Sequence, residues 1–350
     1  MASTGSTMML GREANCLGTL RMKSKAFSPP SRGFLLLQAN LRATSMKVSQ
    51  TTLNVAGEKQ LKLLDRREKE HDMVADAFVL GKVEKDGRIF SQNYTIRSYD
   101  MGPNHKATIQ TLMNLLQETA LNHFKSMGLL KDGLGSTPEM SARNLIWILS
   151  KIHVVVDRYP TWNDDIRVET WFIPCGRNFM AIEWIICDSK NGEILTRASS
   201  KFMMMNKETR KLSEWPVEVR REIEPQYIDR LPLLDKDSSR LPKLNHSEME
   251  YLRTDLIPRR NDLDINQHVN NVKYVAMMLE SVPISFLESH EVYDVTVEYR
   301  RECGMNDVLR SLTSFCHETN IDQCFHLLHS ECGAVVARGR TKWMPKHAKN

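Results

Sequence analysis

Apolar side chains recur at helical spacing in two stretches of the chain, residues 108–127 and 271–280. In the second stretch they fall at i, i+3, i+4 and i+7, the spacing of one buried helix face, and Pro283 bounds that helix. The apolar faces consist of Ile109, Leu112, Met113 and Leu116 in the first stretch and of Val272, Val275, Ala276 and Leu279 in the second. The pattern predicts two amphipathic helices, each buried against a hydrophobic layer.

The stretches after each helix alternate apolar and polar residues and are rich in β-branched side chains, which is typical of strands. They span residues 145–159, 166–173 and 179–206 after the first helix, and residues 292–302, 308–316 and 325–344 after the second. Asn191-Gly192 divides one of these runs as a hairpin turn. The chain therefore predicts an α+β fold in which an antiparallel sheet wraps one helix, and it does so twice.

The two halves share a worn sequence repeat. When the chain is shifted by 162 positions, Asp100 falls on Asp262, Asn104 on Asn266 and Glu118 on Glu280. A second match, at a shift near 141, places residues 192–197 over residues 333–338. We expect two copies of one unit at residues 76–206 and 251–346, joined by a polar, proline-containing connector at residues 207–250.

Three polar residues precede the second helix at alternate positions: Asp264, Asn266 and His268. An extended segment would point all three side chains the same way. A carboxylate, an amide and an imidazole in one small volume are the groups needed for acid–base work on a carbonyl. Unsatisfied backbone N–H groups at the helix start, around residues 269–271, would suit the carbonyl oxygen.

Composition indicates an ordinary globular chain, with 350 residues, 41% hydrophobic and 26% charged. No run approaches the roughly 18 apolar residues of a membrane span, so we expect no transmembrane segment. The net charge of +5 comes from residues 1–50, which carry seven basic residues against one acid. A nucleic-acid partner is therefore not indicated. A basic, hydroxylated and acid-poor start is typical of a transit peptide, so residues 1–50 are predicted to be one, followed by a linker at 51–75.

Cysteine and glycine patterns argue against several other classes of protein. The seven cysteines are odd in number and form no CxxC, so neither a disulfide framework nor a zinc site is indicated. There is also no P-loop, no GxGxxG and no GxSxG. We expect no cofactor and no metal.

Five segments resemble plant acyl-acyl-carrier-protein thioesterases, and in particular their saturated-chain branch, FatB. The strongest is DLDINQHVNN at residues 262–271, and the others are YRRECG at 299–304, GSTPEMS at 135–141, VDRYPTW at 156–162 and GEILTRASS at 192–200. The resemblance covers roughly residues 75 to 346. It implies a tandem double hot-dog fold and release of free fatty acid, saturated and of sixteen or eighteen carbons, from acyl carrier protein.

The resemblance also implies a partner and a place in the cell. The partner is acyl carrier protein carrying a fatty acyl chain, the location is the plastid stroma, and a homodimer is an open alternative to a monomer. An oleoyl-preferring thioesterase, a hydratase of the same fold and a non-catalytic acyl-binding protein are the competing functions. The cations that could meet an acidic carrier are Arg220, Arg221, Lys243, Arg259 and Arg260.

The same resemblance carries catalytic roles onto Asp264, Asn266, His268, Glu302 and Cys303. In one chemistry, Asp264 or Glu302 activates water or attacks the carbonyl, Asn266 holds the carbonyl oxygen, and His268 orients the acid or relays a proton. In the other, Cys303 is the nucleophile and His268 its base. Regular strand pleating would send Glu302 and Cys303 to opposite faces, with Cys303 towards the core.

The internal repeat suggests that one copy alone is catalytic. At the shift of 162, Gly102 and Lys106 stand where the second copy has Asp264 and His268. At a shift of 142, Pro160 and Thr161 stand in place of Glu302 and Cys303. The first copy is thus expected to shape the pocket for the acyl chain.

Two departures from the saturated-chain branch bear on substrate choice. Residues 179–184 read FMAIEW, where the branch has two adjacent basic residues, and Ala276-Met277 replaces Gly-Trp. We expect the first change to alter carrier recognition or sheet packing and the second to reshape the pocket.

Overall fold

The structure is a computed structural model that describes residues 81–130, 135–235, 240–244, 247, 249–316 and 322–346. The predicted transit peptide and linker lie outside these residues. Within them, no helix is both long enough and apolar enough to span a membrane.

The first copy contains the following strands and helices: β1 (Lys82–Glu84), α1 (Lys85–Arg88), β2 (Ile89–Thr95), α2 (Ile109–Ser126), α3 (Pro138–Ser141), β3 (Leu145–Val156), β4 (Asp165–Pro174), β5 (Met180–Asp188) and β6 (Ile194–Asn206). The connector contributes β7 (Leu212–Ser213) and α4 (Val217–Ile223). The second copy contains β8 (Tyr251–Leu256), α5 (Asn271–Leu279), α6 (Ile284–Ser289), β9 (His290–Tyr299), β10 (Leu309–Cys316), β11 (Asp322–Ser330) and β12 (Val335–Pro345).

The strands form one antiparallel sheet that runs through both copies. Its order is β1-β2-β4-β5-β6-β3-β9-β12-β11-β10-β8, with β7 paired to β6. The copies meet where β3 pairs with β9, from Lys151 opposite Glu298 to Val155 opposite Asp294. Because this pairing makes the sheet continuous, a residue near the end of one copy can reach into the other.

Helix α2 lies on this sheet with its apolar face inward. Thr108 caps its start by accepting a hydrogen bond from the Thr111 backbone N–H, as N-terminal caps do, and Leu112 and Leu116 are at most 1% exposed. The first predicted helix is therefore confirmed within a residue at each end. The second predicted helix, residues 271–280, is confirmed within a residue as well, and α5 has 9 residues against 18 in α2.

The backbone reproduces the repeat of 162 residues in detail. A tight turn precedes each central helix, closed by bridges at the ends of residues 101–107 and 263–269. His105 in one turn and Gln267 in the other both adopt the left-handed conformation, with φ of 58° and 64°. The two turns therefore share one backbone conformation, as expected for two copies of one unit.

The second register, at a shift of 142, is wrong by one residue. Corresponding backbone N–H groups donate to Pro160 in the first copy and to Cys303 in the second, each at 2.8 Å. These acceptors are 143 positions apart, so Glu302 corresponds to Tyr159 rather than to Pro160, and Cys303 does not correspond to Thr161. The first copy still carries no carboxylate or thiol at these two positions.

Candidate active site

Residues 264–268 form a tight turn, and the predicted extended segment is wrong. The Asp264 N–H donates to the His268 carbonyl at 2.7 Å, and the Gln267 N–H donates to the Asp264 carbonyl at 3.1 Å. Polar residues at alternate positions resemble a strand in sequence, but short Asp and Asn side chains also favour turns by bonding their own backbone. The turn is the outcome here.

The carboxylate of Asp264 holds this turn together. Its Oδ1 accepts the backbone N–H of Asn266 at 2.8 Å and that of His268 at 3.1 Å. Asn266 is exposed and His268 is half-buried. Through one carboxylate oxygen, Asp264 therefore fixes the backbone from which the side chains of Asn266 and His268 leave the turn.

The entrance of helix α5 offers fewer open N–H groups than predicted. The N–H of Val269 donates to the Cys303 carbonyl and that of Asn270 donates to the Asp262 carbonyl, both at 2.8 Å. Asn270 also caps the helix, with its side-chain oxygen accepting the Val272 N–H at 3.0 Å. The amides of Val269 and Asn270 are thus engaged in holding the fold and do not serve as the predicted oxyanion donors.

Glu302 faces the turn across a narrow gap. Its Oε2 lies 3.8 Å from His268 Nε2, and both side chains are about one-third exposed at 37% and 36%. The same Oε2 contacts the guanidinium Nη2 of Arg210, which belongs to the turn between β6 and β7. A carboxylate, an imidazole and a guanidinium therefore meet at a surface that water can reach.

Cys303 lies next to Glu302 in the chain but in a different environment. It is 3% exposed and belongs to the hydrophobic core. Burial raises the pKa of its thiol to about 11, although a hydrogen bond with Tyr274 opposes this rise. Glu302 and Cys303 therefore differ in burial, as predicted. Strand pleating is not the cause, because β9 ends at Tyr299 and both residues lie beyond it.

The corresponding region of the first copy is closed by an ion pair. Lys106, in the place of His268, binds Glu291 through Nζ at 2.8 Å. Asn104, in the place of Asn266, donates to the other oxygen of Glu291 at 3.2 Å. Glu291 comes from the second copy, so this pair joins the halves and leaves the carboxylate occupied.

The predicted docking cations and the sequence departure at residues 179–184 lie in distinct environments. Arg221, Lys243, Arg259 and Arg260 are exposed, whereas Arg220 stacks 5.5 Å from the Trp215 ring. Ala181 and Ile182 are buried at 2% and 1% exposure. The departure at residues 179–184 therefore concerns sheet packing and not a surface for a partner.

Arg210 and Glu291 are the two residues of the site region that the sequence did not reveal. Arg210 of the connector contacts Glu302 at a separation of 92 residues, and Glu291 contacts Lys106 of the first copy at a separation of 185. No local sequence pattern marks such contacts. In the described part of the chain, His, Cys, Asp and Glu side chains do not gather in groups of three that could hold a metal ion.

Comparison with known proteins identifies the family. Family models for the acyl-ACP thioesterase N-terminal domain and C-terminal domain match residues 87–223 and 245–345. The chain is 50% identical over 333 residues to palmitoyl-acyl carrier protein thioesterase of Gossypium hirsutum, covering 93% of this chain and 80% of the relative. It is also 50% identical over 324 residues to an acyl-[acyl-carrier-protein] hydrolase of Cuphea viscosissima, with 92% and 78% coverage.

A solved structure agrees with the sequence relatives. The 12:0-ACP thioesterase from Umbellularia californica superposes with a TM-score of 0.71 at 48% identity, covering 74% of this chain and 95% of that one. The tandem hot-dog architecture is therefore shared with a thioesterase of known structure. With two family models across more than half of its length and relatives at this identity, the chain belongs to the acyl-ACP thioesterase family.

Proposed function

We propose that this acyl-ACP thioesterase releases saturated long-chain fatty acid from acyl carrier protein by water attack at a single site, built on His268 and Glu302. The observation that carries the proposal is the approach of the Glu302 carboxylate to His268 Nε2 at 3.8 Å. A carboxylate beside an imidazole can take a proton from a water molecule placed between them. The matching position in the first copy is occupied by the Lys106–Glu291 ion pair, which supports one site per chain.

In the proposed reaction, Glu302 and His268 bind a water molecule whose oxygen attacks the thioester carbon. Glu302 takes one proton from this water and passes it to His268. A carbon–oxygen bond forms, and the carbonyl oxygen becomes negative. The amide of Asn266, held by the turn that Asp264 closes, donates to that oxygen and stabilises the charge. The carbon–sulfur bond then breaks, and His268 returns the proton to the departing thiolate.

Asp264 has a positioning part in this scheme. Its Oδ1 already accepts two backbone N–H groups, from Asn266 and His268. It fixes the direction in which Asn266 and His268 leave the turn. Glu302, which lies beside His268 Nε2, is the base in this scheme.

Cys303 as nucleophile is the weaker alternative. The raised pKa of about 11 leaves its thiol protonated at neutral pH, and only the thiolate attacks carbonyl carbon readily. Its burial in the core also keeps a bulky thioester at a distance.

The relatives support a substrate and a location. Palmitoyl-acyl carrier protein is named for the Gossypium hirsutum relative, and 12:0-ACP for the Umbellularia californica structure. We propose palmitate as the main product because palmitoyl-acyl carrier protein is named for the relative that is 50% identical over 93% of this chain. Both curated relatives are named chloroplastic, which supports a plastid protein, and we place its action in the stroma. A homodimer stays a prediction that sedimentation would test.

The test uses the full chain with acyl carrier protein loaded with saturated chains of eight to eighteen carbons and with oleate. Free acid is quantified by mass spectrometry beside Glu302→Gln and a catalytically remote control, Cys187→Ala. Palmitate as the fastest product, lost in Glu302→Gln alone, supports the proposal. Preferred release of oleate would refute the saturated-chain assignment. Hydration of an enoyl thioester without free acid, or binding without turnover, would refute the thioesterase reaction.

A further inference from the structure

We infer that Arg210, supplied by the connector that follows the first copy, is the positioning residue for the Glu302 carboxylate of the second copy. The inference rests on the proposed function, because it assigns Arg210 a part in the same reaction. The guanidinium Nη2 of Arg210 contacts Glu302 Oε2, the oxygen that also lies nearest His268 Nε2. The active site is thus completed across the junction of the two copies.

The backbone around Arg210 is held firmly enough for this task. Asn206 accepts the N–H groups of Glu208 and Thr209 on its side-chain oxygen at 3.1 and 2.8 Å. It also pairs through its own backbone with Arg210 at 3.0 Å and Lys211 at 2.9 Å. Arg210 adopts the left-handed conformation with φ of 55°, which a non-glycine residue keeps only where the surroundings fix it.

A second contact ties this turn to the first copy. The Lys207 N–H donates to the Asn144 carbonyl at 2.7 Å, and the Asn144 side chain donates to Glu208 at 3.2 Å. The Arg210 guanidinium therefore extends from a turn whose backbone is fixed by hydrogen bonds to the first copy.

Glu302 needs such a partner because it lies beyond the end of β9, outside the strand ladder. Within the described residues, the charged or titratable side chains placed against it are Arg210 and His268. A guanidinium on Oε2 holds the carboxylate in one rotamer and favours its ionised form. Oε1 then remains open to a water molecule.

The first copy shows what happens without a separate cation. There, Lys106 occupies the position of His268 and itself binds the carboxylate of Glu291. In the second copy the residue at this position is an imidazole, and the cation that contacts its carboxylate neighbour Glu302 comes from a different turn, through Arg210.

The test compares Arg210→Gln and Arg210→Lys with Lys211→Gln, which removes a neighbouring exposed charge from the same turn. Full-length proteins are assayed for palmitate release from palmitoyl-acyl carrier protein between pH 5.5 and 9, after wild type has been shown to turn over. Inactive wild type would refute the proposed function and is detected before any variant is judged. Each change is repeated in a Glu302→Gln background under single-turnover conditions.

We expect Arg210→Gln to lower kcat about 10- to 100-fold, as misplacement of a catalytic group does, while KM changes little. The acid limb of its pH–rate profile should move to higher pH, Arg210→Lys should recover part of kcat, and Lys211→Gln should match wild type. In the Glu302→Gln background Arg210→Gln should have no further effect. A rise in KM with kcat unchanged, or an equal loss in both backgrounds, would overturn the inference in favour of a carrier-docking cation. If Arg210→Gln fails to fold, the test rests on Arg210→Lys. A kcat and a pH profile equal to those of wild type in Arg210→Lys would then overturn the inference.

Discussion

Replacing Cys303 by alanine separates the two chemistries that the sequence leaves open. The thiol is 3% exposed and its pKa is raised to about 11 by burial. At pH 7.5 such a thiol is ionised in about one molecule in 3,000, and forming the thiolate costs about 5 kcal/mol. A thiolate mechanism would therefore begin with a large barrier that the site does nothing to lower.

If Glu302 and His268 activate water, Cys303→Ala removes only packing. Deleting one buried heavy atom costs about 1 kcal/mol of unfolding free energy, and the lost hydrogen bond with Tyr274 adds to this. We expect kcat/KM for palmitoyl-acyl carrier protein to stay within about tenfold of wild type. Cys187→Ala, at another buried cysteine, is the matched control for the loss of packing.

The assay is initial rate of free acid release from pH 7 to pH 10, with urea unfolding of each variant at pH 7.5. A thiolate nucleophile would make the wild-type rate climb about tenfold for each pH unit towards 11. A folded Cys303→Ala protein that loses more than about a thousandfold in kcat/KM, together with such a climb in wild type, would refute the carboxylate account.

Three further outcomes follow from the structure. Asn270→Ala and Thr108→Ala remove equivalent helix caps, and each should lower the free energy of unfolding in urea by about 1 kcal/mol. Only Asn270→Ala should slow acid release. Equal rates of acid release in the two variants would show that the start of α5 has no part in catalysis. Glu291→Gln breaks a partly exposed pair and should cost at most about 1 kcal/mol with unchanged kcat, whereas a large loss of activity would place a second site in the first copy. Burial lowers the His123 pKa to about 4. The neutral histidine therefore contributes its full stabilisation of the fold above pH 6.5, and this contribution is lost as the pH falls towards 4. Between pH 7.5 and 5 this should remove about 2 kcal/mol, and His123→Phe should abolish that part of the loss. An identical pH dependence of urea midpoints in both proteins would contradict it.

Much of the architecture could be predicted from the sequence, because the spacing of apolar residues distinguishes helices from strands. The helix at Ile109–Ser126 and the strands after it follow apolar spacing closely. The family, the tandem hot-dog fold and the thioesterase function that the motifs indicated are confirmed by the comparisons. The domain limits and the roles of the site residues stay predictions.

The site could be predicted in its composition but not in its geometry. Asp264 and Asn266 alternate as strand residues do, yet the Asp264 carboxylate closes a turn by accepting the Asn266 backbone N–H. The sequence is compatible with both conformations. The backbone hydrogen bonds give a register of 143 where the sequence match indicated 142, and this moves Glu302 from Pro160 onto Tyr159. Arg210 reaches the site from 92 residues away, a contact that only the folded sheet creates.

The most direct test of the account is a single turnover of palmitoyl-acyl carrier protein with excess enzyme in water enriched in oxygen-18. Attack of water on the thioester carbon, assisted by Glu302 and His268, predicts palmitate with one labelled oxygen and unlabelled side chains at Asp264 and Glu302. Unlabelled palmitate with oxygen-18 in either carboxylate would show that the carboxylate itself attacked, and would contradict the account.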